Sequence, residues 1–245
     1  MVDWWLSPLS GAATHALPTP LAWHGRLMLL GWAVLIPVGA LWARFWKVVP
    51  GQDWPRVLDN KRWWHAHRLL QIGGVVAALG GLALVLTAAT PGGAAAHRAL
   101  GWATLAIGCW QVAHGFARGS KGGPTAEAIR GDHYDMTPRR VVFERVHKSL
   151  GWAGVLLALP AIVTGLATAD APRALFVLVA AWWLAVAAAF VRWQRRGLAL
   201  DTYQAIWGPD QEHPGNRRPP IGWGVRRRAP PAADRPPRCG EGKGR

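Results

Sequence analysis

Residues 61–71 read KRWWHAHRLLQ, and an apolar run that begins inside this stretch continues without a charged residue from 69 to 96. A helix needs about 20 mostly apolar residues to cross the hydrocarbon core of a bilayer. The stretch therefore predicts a membrane-spanning helix that begins with two cations and two tryptophans.

Four similar runs lie elsewhere in the chain, at 27–43, 99–117, 149–169 and 174–191. They are rich in Ala, Leu and Gly and lack the alternating pattern of membrane strands. The sequence therefore predicts an all-α integral membrane protein with five transmembrane helices, at about 21–46, 64–88, 97–117, 138–168 and 173–193.

Positive charge is confined to particular segments. Of 28 Lys and Arg residues, all but Arg26, Arg98 and Arg173 lie in 44–68, in 118–148 or beyond 191. In a five-helix topology these three segments share one side, as the positive-inside rule requires of the cytoplasmic side. The charge therefore indicates orientation rather than nucleic-acid binding. It predicts a periplasmic N-terminus and a cytoplasmic C-terminus.

The two ends of the chain differ from its middle. Residues 1–20 lack the charged and apolar regions of a signal peptide and are expected to form a periplasmic segment. Residues 193–208 are expected to form a basic amphipathic segment on the membrane surface. Residues 209–245, rich in Pro, Arg and Gly, are expected to be a disordered cytoplasmic tail.

Four of the nine histidines occupy equivalent places, near the starts of the first four helices. They are His24, His67, His97 and His147. Ionisable residues inside membrane helices are costly and usually serve a function, and neutral imidazole is a common haem ligand. Because neighbouring helices are antiparallel, His24 and His97 share the outer level, and His67 and His147 share the inner level. Each pair could hold one haem iron from two sides.

Glycines accompany these histidines on the helical wheel. Gly101 and Gly108 lie near the face of His97, and Gly151 follows His147. Such a stripe can form a groove for a flat macrocycle, although small residues also permit close packing of helices. In the same helices, Pro37 and Pro160 free backbone carbonyls that neighbouring helices are expected to satisfy.

These residues resemble the cytochrome b561 family, specifically its small bacterial members, over residues 23–168. The resemblance rests on HGRLMLLGWAVLIPVGALWAR (24–44), WWHAHRLLQ (63–71), HRALGW (97–102), Gln111 with HGFARG (114–119), and HKSLGW (147–152). It implies transmembrane electron transfer through two non-covalent b haems, ligated by His24 with His97 and by His67 with His147. The first four helices would then form a haem-binding bundle in a bacterial inner membrane.

The resemblance leaves the redox partners open. Eukaryotic members use ascorbate, whereas quinol or a redox protein suits a bacterial member. Activity of a quinol, ascorbate or ferric reductase type is therefore compatible with the sequence, and the acceptor is undetermined. Membrane lipid is an expected partner, and a homodimer is possible.

Further residues are candidates for contacts with the haems. Arg26 and Arg98 could pair with propionates of the outer haem, or their side chains could extend to the membrane–water interface. Gln71 lies one turn beyond His67 on the same face. His114 lies near the inner end of the third helix and could contact a propionate or a quinol. His133, in the loop 131–140, could bind a metal, although a turn capped by Thr137 is the simpler interpretation.

Two other classes of function compete with this hypothesis. A non-haem iron oxidoreductase would require clustered histidine motifs at one membrane face, and HAH at 65–67 is the only cluster. A non-redox transporter or scaffold leaves the repeated histidines unexplained.

The two histidines of HAH cannot both face the interior of the bundle, because residues two apart on a helix point about 200° away from each other. His67 is the one expected to face the interior.

Overall fold

The computed structural model describes residues 2–12, 16–88, 94–121 and 130–229. Within these ranges the chain is helical and contains no β-strand, which confirms the all-α prediction. Its five long helices are α1 (Thr19–Phe45), α2 (Arg62–Thr87), α3 (Ala95–Phe116), α4 (Pro138–Thr168) and α5 (Arg173–Arg195). A five-residue helix, Val2–Leu6, precedes them.

Four of the described helices, α1, α2, α4 and α5, are long and apolar enough to cross a membrane. The remaining long helix, α3, has 22 residues. It is not among the four, because polar residues such as Gln111 and His114 lower its mean hydropathy. Four of the five predicted spans therefore correspond to candidate membrane-spanning helices, and a span formed by α3 stays a prediction.

The first four helices pack as two pairs. α1 lies along α2, α3 lies along α4, and contacts of α2 with α3 and of α1 with α4 join the pairs. The end where α1 finishes and α2 begins is called the basic end below, because the cationic segments 44–68, 118–121 and 130–148 lie there. The other end, which holds the N-terminal segment 2–12, is called the opposite end.

Apolar side chains fill the centre of the four-helix group. Trp32, Val75, Leu105 and Val155 are buried there, one from each helix. α1 and α2 approach closely, since a Cβ added at Gly31 would lie 2.6 Å from the carbonyl oxygen of Gly74. Glycine is therefore required at this crossing. The core separates the two ends of the bundle with an apolar layer.

The first helix is irregular in its middle. Residues Leu29–Leu35 form a π-helix, and regular α-helix resumes at Ile36, directly before Pro37. Short π segments in α-helices occur often at functional sites. Here the segment carries Trp32, whose ring lies against the face of Gly108 on α3.

α5 lies outside the four-helix group and has no buried residue. It contacts α1 and the N-terminal segment. At the opposite end Arg173 donates to the hydroxyl of Ser7 at 2.6 Å, and Ser10 donates to the carboxylate of Asp170 at 2.6 Å. The N-terminal segment is therefore fixed to the start of α5.

The C-terminal region differs from both expectations for it. Residues 193–208 are expected to form a basic amphipathic segment, but α5 ends at Arg195 and a separate helix, α6 (Thr202–Trp207), has all six residues buried. Tyr203 and Trp207 pack in a cluster with Met136 and Ile221. This burial requires docking against the loop before α4, which no local sequence pattern predicts.

Residues 209–229 are also ordered in the structure, in contrast to the expected disorder. The Arg227 guanidinium donates to the carboxylate of Asp201 at 2.9 Å and to the carbonyl oxygen of Gly215 at 2.8 Å. A segment with few apolar residues can thus be fixed by one cation that satisfies several backbone carbonyls. The remainder of the expected tail, 230–245, lies outside the described residues.

Candidate functional site

The structure brings the four helix-start histidines together in two pairs. The ring centroids of His24 on α1 and His97 on α3 are 6.2 Å apart, with an interplanar angle of 87°. Those of His67 on α2 and His147 on α4 are 6.3 Å apart, at 79°. One pair lies at the opposite end and the other at the basic end. The pairing is the one that the topology predicts.

Backbone carbonyls hold three of the four rings. The Nδ1 atoms of these rings donate to carbonyl oxygens of a facing helix: His24 to Gly81 at 2.9 Å, His67 to Gly39 at 3.1 Å and His97 to Ala161 at 3.0 Å. A carbonyl oxygen can only accept, so the proton lies on Nδ1 and Nε2 is left with a free lone pair. Histidines that ligate metals are typically held in this way.

Each pair has a ring spacing that would let its two imidazoles hold one iron ion between them. Half of either centroid separation is about 3.1 Å. This is close to the distance from a ring centre to a metal that a ring nitrogen binds at about 2.0 Å. Each pair therefore has the spacing for one metal ion between its rings. Among the described residues, no three metal-ligating side chains of His, Cys, Asp or Glu converge, so the donor sets remain pairs.

A large cavity adjoins the pair at the basic end. Its volume is about 1710 Å³, and its walls include His67, His147 and parts of all five long helices. Cavities for single drug-sized ligands occupy roughly 300–1,000 Å³. The cavity is therefore large enough for a porphyrin, and its walls are mostly apolar. His24 and His97 are not part of this lining.

The predicted glycines have different surroundings. A Cβ at Gly101 would meet no atom within 4 Å, so space is open beside it. A Cβ at Gly108 would lie 3.0 Å from the Trp32 ring, and one at Gly151 would lie 2.8 Å from the amide nitrogen of Gln111. The absence of a side chain at Gly108 thus lets the neighbouring helix approach closely, which is the alternative role proposed above for these glycines. Gly108 and Gly151 also line the cavity.

The structure places Gln71 and His114 near the basic-end pair. The amide of Gln71 donates to the carbonyl oxygen of Ile36 at 2.9 Å, and Gln71 lines the cavity. The ring centroid of His114 lies 6.0 Å from that of His147 and 5.7 Å from that of Trp110. Gln71 is in position to contact a ligand of this cavity, whereas His114 is not part of its lining, and contact of His114 with a haem propionate or a quinol stays a prediction.

At the opposite end, Arg26 and Arg98 are exposed. The Arg26 guanidinium lies 5.0 Å from the ring centroid of Trp23, a cation–π arrangement typical of the membrane interface. His65 is exposed as well, unlike its neighbour His67. Contacts of the two arginines with haem propionates stay predictions.

A buried ionic cluster at the basic end was missed by the sequence reasoning. Glu144 accepts from the Arg140 guanidinium at 3.0 Å and from the Lys148 ammonium at 2.6 Å, and it is almost fully buried. Its i,i+4 spacing to both cations is visible in the sequence and could have indicated the cluster. Lys148 follows His147 directly, so this cluster borders the pair of His67 and His147.

His133 belongs to the same cluster. Its Nε2 lies 3.7 Å from the Glu144 carboxylate, and the Trp207 indole donates to its Nδ1 at 3.3 Å. Burial, together with the charge of Arg140, lowers the pKa of His133 to about 3. The ring is therefore neutral and structural. Thr137 caps α4 by accepting from the Arg140 backbone, as predicted.

Lys47 is the second functional residue that the sequence reasoning missed. Its ammonium donates to the carbonyl oxygens of Leu200 and Arg44, and its side chain lines the cavity. Burial, together with repulsion from Lys148, lowers the pKa of Lys47 to about 7. Among the described residues no carboxylate forms an ion pair with Lys47, and its side-chain nitrogen donates to backbone carbonyls instead.

Comparisons with known proteins give distant similarities. The chain is 26% identical over 160 residues, 64% of its length, to a cytochrome b561, DM13 and DOMON domain-containing protein of Arabidopsis thaliana. It is 30% identical over 148 residues, 58% of its length, to ferric-chelate reductase 1 of Bos taurus. The aligned regions cover 16% and 22% of those relatives. No family model and no solved structure matches.

Proposed function

We propose that this chain, a distant relative of cytochrome b561 domain proteins, transfers electrons across a membrane through two b-type haems, one near each membrane face. The relatives support haem-dependent transmembrane electron transfer in general. The number of haems and their positions are proposed from the two histidine pairs. In this proposal α3 spans the membrane with the other four long helices.

The observation that carries the proposal is the repeated geometry of the pairs. Two independent pairs, on different helices, have centroid separations of 6.2 and 6.3 Å and near-perpendicular rings. Packing alone gives no reason for two pairs to share this spacing. Two imidazoles that would hold one iron between them need a spacing of this size.

The levels of the two pairs are suitably spaced for transfer across a bilayer. His67 and Gly81, whose carbonyl holds His24, are separated along α2 by about 21 Å at 1.5 Å per residue. On α4, His147 and Ala161, whose carbonyl holds His97, have the same separation. Both levels therefore fit within a hydrocarbon core of about 30 Å.

The chain's own groups orient the ligands and exclude water. Each bound haem would supply a one-electron ferric/ferrous couple. The carbonyls of Gly39, Gly81 and Ala161 fix the tautomer of their histidines, so that Nε2 is the nitrogen free to bind a metal. Between the two levels the buried Trp32 and Val75 keep the interior apolar. Electrons can cross this layer, whereas ions face a large desolvation cost.

The positive-inside rule assigns the basic end to the cytoplasm and the N-terminal segment to the periplasm of a bacterial inner membrane. The electron donor is a quinol, ascorbate or a redox protein. The names of the ferric-chelate reductase relatives add a chelated ferric ion as a possible acceptor. The exposed apolar face of α5 would contact lipid or a second copy of the chain.

Electron transfer into sealed vesicles tests the proposal. Purified protein is reconstituted into liposomes that contain ferricyanide, and ascorbate or a short-chain quinol is added outside. We expect the trapped ferricyanide to be reduced much faster than in protein-free vesicles. The His67→Ala variant, which lacks one axial ligand, should lose this advantage, while the matched His65→Ala variant should keep it. Equal rates with and without the protein would refute the proposal.

A further inference from the structure

One face of α5 changes from apolar to cationic towards the basic end. Its members recur at intervals of three and one residues, which places them on a single side of a helix. The apolar members come first along the chain: Leu184, Ala187, Ala188 and Val191. The cationic members follow at the end of the helix: Arg192, Arg195 and Arg196. An apolar surface and a cationic surface therefore lie end to end on one side of α5.

These seven residues line one groove, with a volume of about 670 Å³. Leu184, Ala187 and Val191 also line the large cavity, so the groove adjoins that cavity. α5 is long and apolar enough to cross a membrane and has no buried residue of its own. The groove is therefore accessible from the lipid that would surround α5. None of the described histidines lines it, so it is distinct from the histidine pairs.

The three arginine side chains of the groove are not engaged by the protein. All three are exposed, and within the described part of the chain they form no hydrogen bond or ion pair. The residues between them are oriented differently. Trp193 packs against the cluster around Leu41 and Phe45, and the amide of Gln194 donates to the carbonyl oxygen of Gly224 at 2.7 Å.

Two general effects favour cations at this position. The C-terminus of a helix attracts positive charge, and the cytoplasmic side of a membrane protein is rich in Lys and Arg. Both effects depend on the position along the helix axis, and neither selects one side of the helix. The alignment of all three arginines with the apolar groove therefore requires a further reason.

A phospholipid with an anionic head group has the chemistry to fill this groove. Guanidinium groups donate paired hydrogen bonds to phosphate oxygens, and an acyl chain packs against apolar side chains. From Leu184 to Arg195 the helix rises by about 16 Å at 1.5 Å per residue. This is about half of a hydrocarbon core of roughly 30 Å, so the groove has the length of one leaflet.

We infer that the groove on α5 binds one anionic phospholipid. Arg192, Arg195 and Arg196 hold its phosphate, and an acyl chain lies along Leu184 and Val191. The inference goes beyond the proposed electron transfer and requires no haem, so either can fail without the other.

Binding of defined lipids to the purified full-length chain in detergent tests the inference. Dioleoyl phosphatidylglycerol and dioleoyl phosphatidylcholine have the same acyl chains and differ in net charge. We expect one molecule of phosphatidylglycerol to remain bound in native mass spectrometry and to raise the Tm, and phosphatidylcholine to do neither. Glycerol 3-phosphate, which has the phosphate without the chains, should not raise the Tm at the same concentration. Equal effects of the two lipids, or an equal effect of glycerol 3-phosphate, would overturn the inference.

Charge variants locate the head group. Replacement of all three groove arginines by Gln should weaken phosphatidylglycerol binding on the order of 100-fold, because each cation near an anionic head group adds to the affinity. The matched control replaces three exposed arginines of the basic end that line neither the groove nor the large cavity: Arg56, Arg62 and Arg139. The control should keep the wild-type affinity. Equal losses in the two triple variants would show that binding follows net charge, and the inference would be wrong.

A substitution without a change of charge locates the acyl chain. Ala188 is exposed, and Ala188→Phe places a ring in the groove. This variant should weaken phosphatidylglycerol binding at least tenfold. Ala185→Phe is the matched control, since Ala185 is an exposed residue of the same helix that lines neither the groove nor the cavity. Wild-type affinity in Ala188→Phe, or the same loss in both variants, would overturn the placement of the lipid in the groove.

Discussion

The indole N–H of Trp182 on α5 donates to the carbonyl oxygen of Ala33 on α1 at 2.6 Å. Ala33 is four residues before Pro37, and proline has no N–H with which to continue the helical hydrogen bonds. The carbonyl freed by Pro37 is therefore satisfied by a neighbouring helix, as the sequence predicts. This bond also fixes α5, which has no buried residue of its own, to the four-helix group.

The Trp182→Phe variant should lose stability, because it removes the N–H and leaves the Ala33 carbonyl unpaired in an apolar environment. We expect a cost of about 1–3 kcal/mol in unfolding free energy, measured by thermal or denaturant unfolding in detergent. Trp183→Phe is the matched control, since the Trp183 indole N–H has no hydrogen-bond partner in the described part of the chain. Equal losses in the two variants would contradict this role for Trp182.

Gly165 on α4 should be essential for haem binding at the opposite end. A Cβ there would lie 2.8 Å from Cε1 and 3.1 Å from Nδ1 of His97. Gly165→Ala must therefore displace the His97 ring from its carbonyl partner. We expect haem content to fall from two to one per chain, as measured by pyridine haemochrome assay.

Gly80→Ala serves as the control for this prediction. It lies on α2 near the same end, and its Cβ would make only an ordinary contact, 3.8 Å from the Leu27 side chain. Alanine there should leave the haem content at two and improve helix propensity by up to about 1 kcal/mol. Retention of both haems in Gly165→Ala would show that the ring can move without loss of binding.

His133 should make the stability of the protein depend on pH. Its pKa is lowered to about 3 by burial, whereas a histidine in the unfolded chain has a pKa of about 6.5. The unfolded state therefore binds a proton that the folded state does not. The stabilisation is fully present above about pH 6.5 and is lost as the pH falls towards 3, by at most about 1.4 kcal/mol per pH unit.

Unfolding measured between pH 8 and pH 5 checks this dependence. The His133→Gln variant keeps a polar side chain but cannot titrate in this range, so its stability should fall less steeply with decreasing pH than that of the wild type. Identical slopes for the two proteins would show that His133 is already protonated in the folded state or is accessible to water.

Arg227 should hold the C-terminal region in place. Besides the Asp201 carboxylate, it reaches the carbonyls of Gly215, Asn216 and Arg218. Arg227→Gln should therefore make residues 209–229 susceptible to protease in detergent micelles. Arg226→Gln, which changes an exposed neighbouring arginine, should remain as resistant as the wild type. Resistance of Arg227→Gln would mean that the apolar cluster around Trp207 is sufficient.

The histidine pairs could be predicted from the sequence because each signal is local. A titratable residue near the start of an apolar helix is unusual, and this chain has four at matching positions. Because consecutive helices alternate in direction, the histidines of the first and third helices must lie at one end of the bundle and those of the second and fourth at the other. His24 and His97 then lie at one end, and His67 and His147 at the other, as the structure shows.

The C-terminal region could not be predicted in the same way. Tyr203, Ile206 and Trp207 are separated from Ile221 by a polar, proline-rich stretch, and their burial depends on contacts with Met136, far away in the chain. Similarly, the role of Lys47 depends on the Leu200 carbonyl, which the sequence cannot place next to it. Long-range docking, rather than local propensity, determines these features.

Haem content and visible spectra of the ligand variants test the central claim most directly. Wild-type protein should bind two b haems per chain, both low-spin, while His24→Ala and His67→Ala should each retain one haem with a different spectrum. His65→Ala should retain both. A stable, colourless wild-type protein, or loss of both haems in either ligand variant despite a folded chain, would contradict two separate bis-histidine sites.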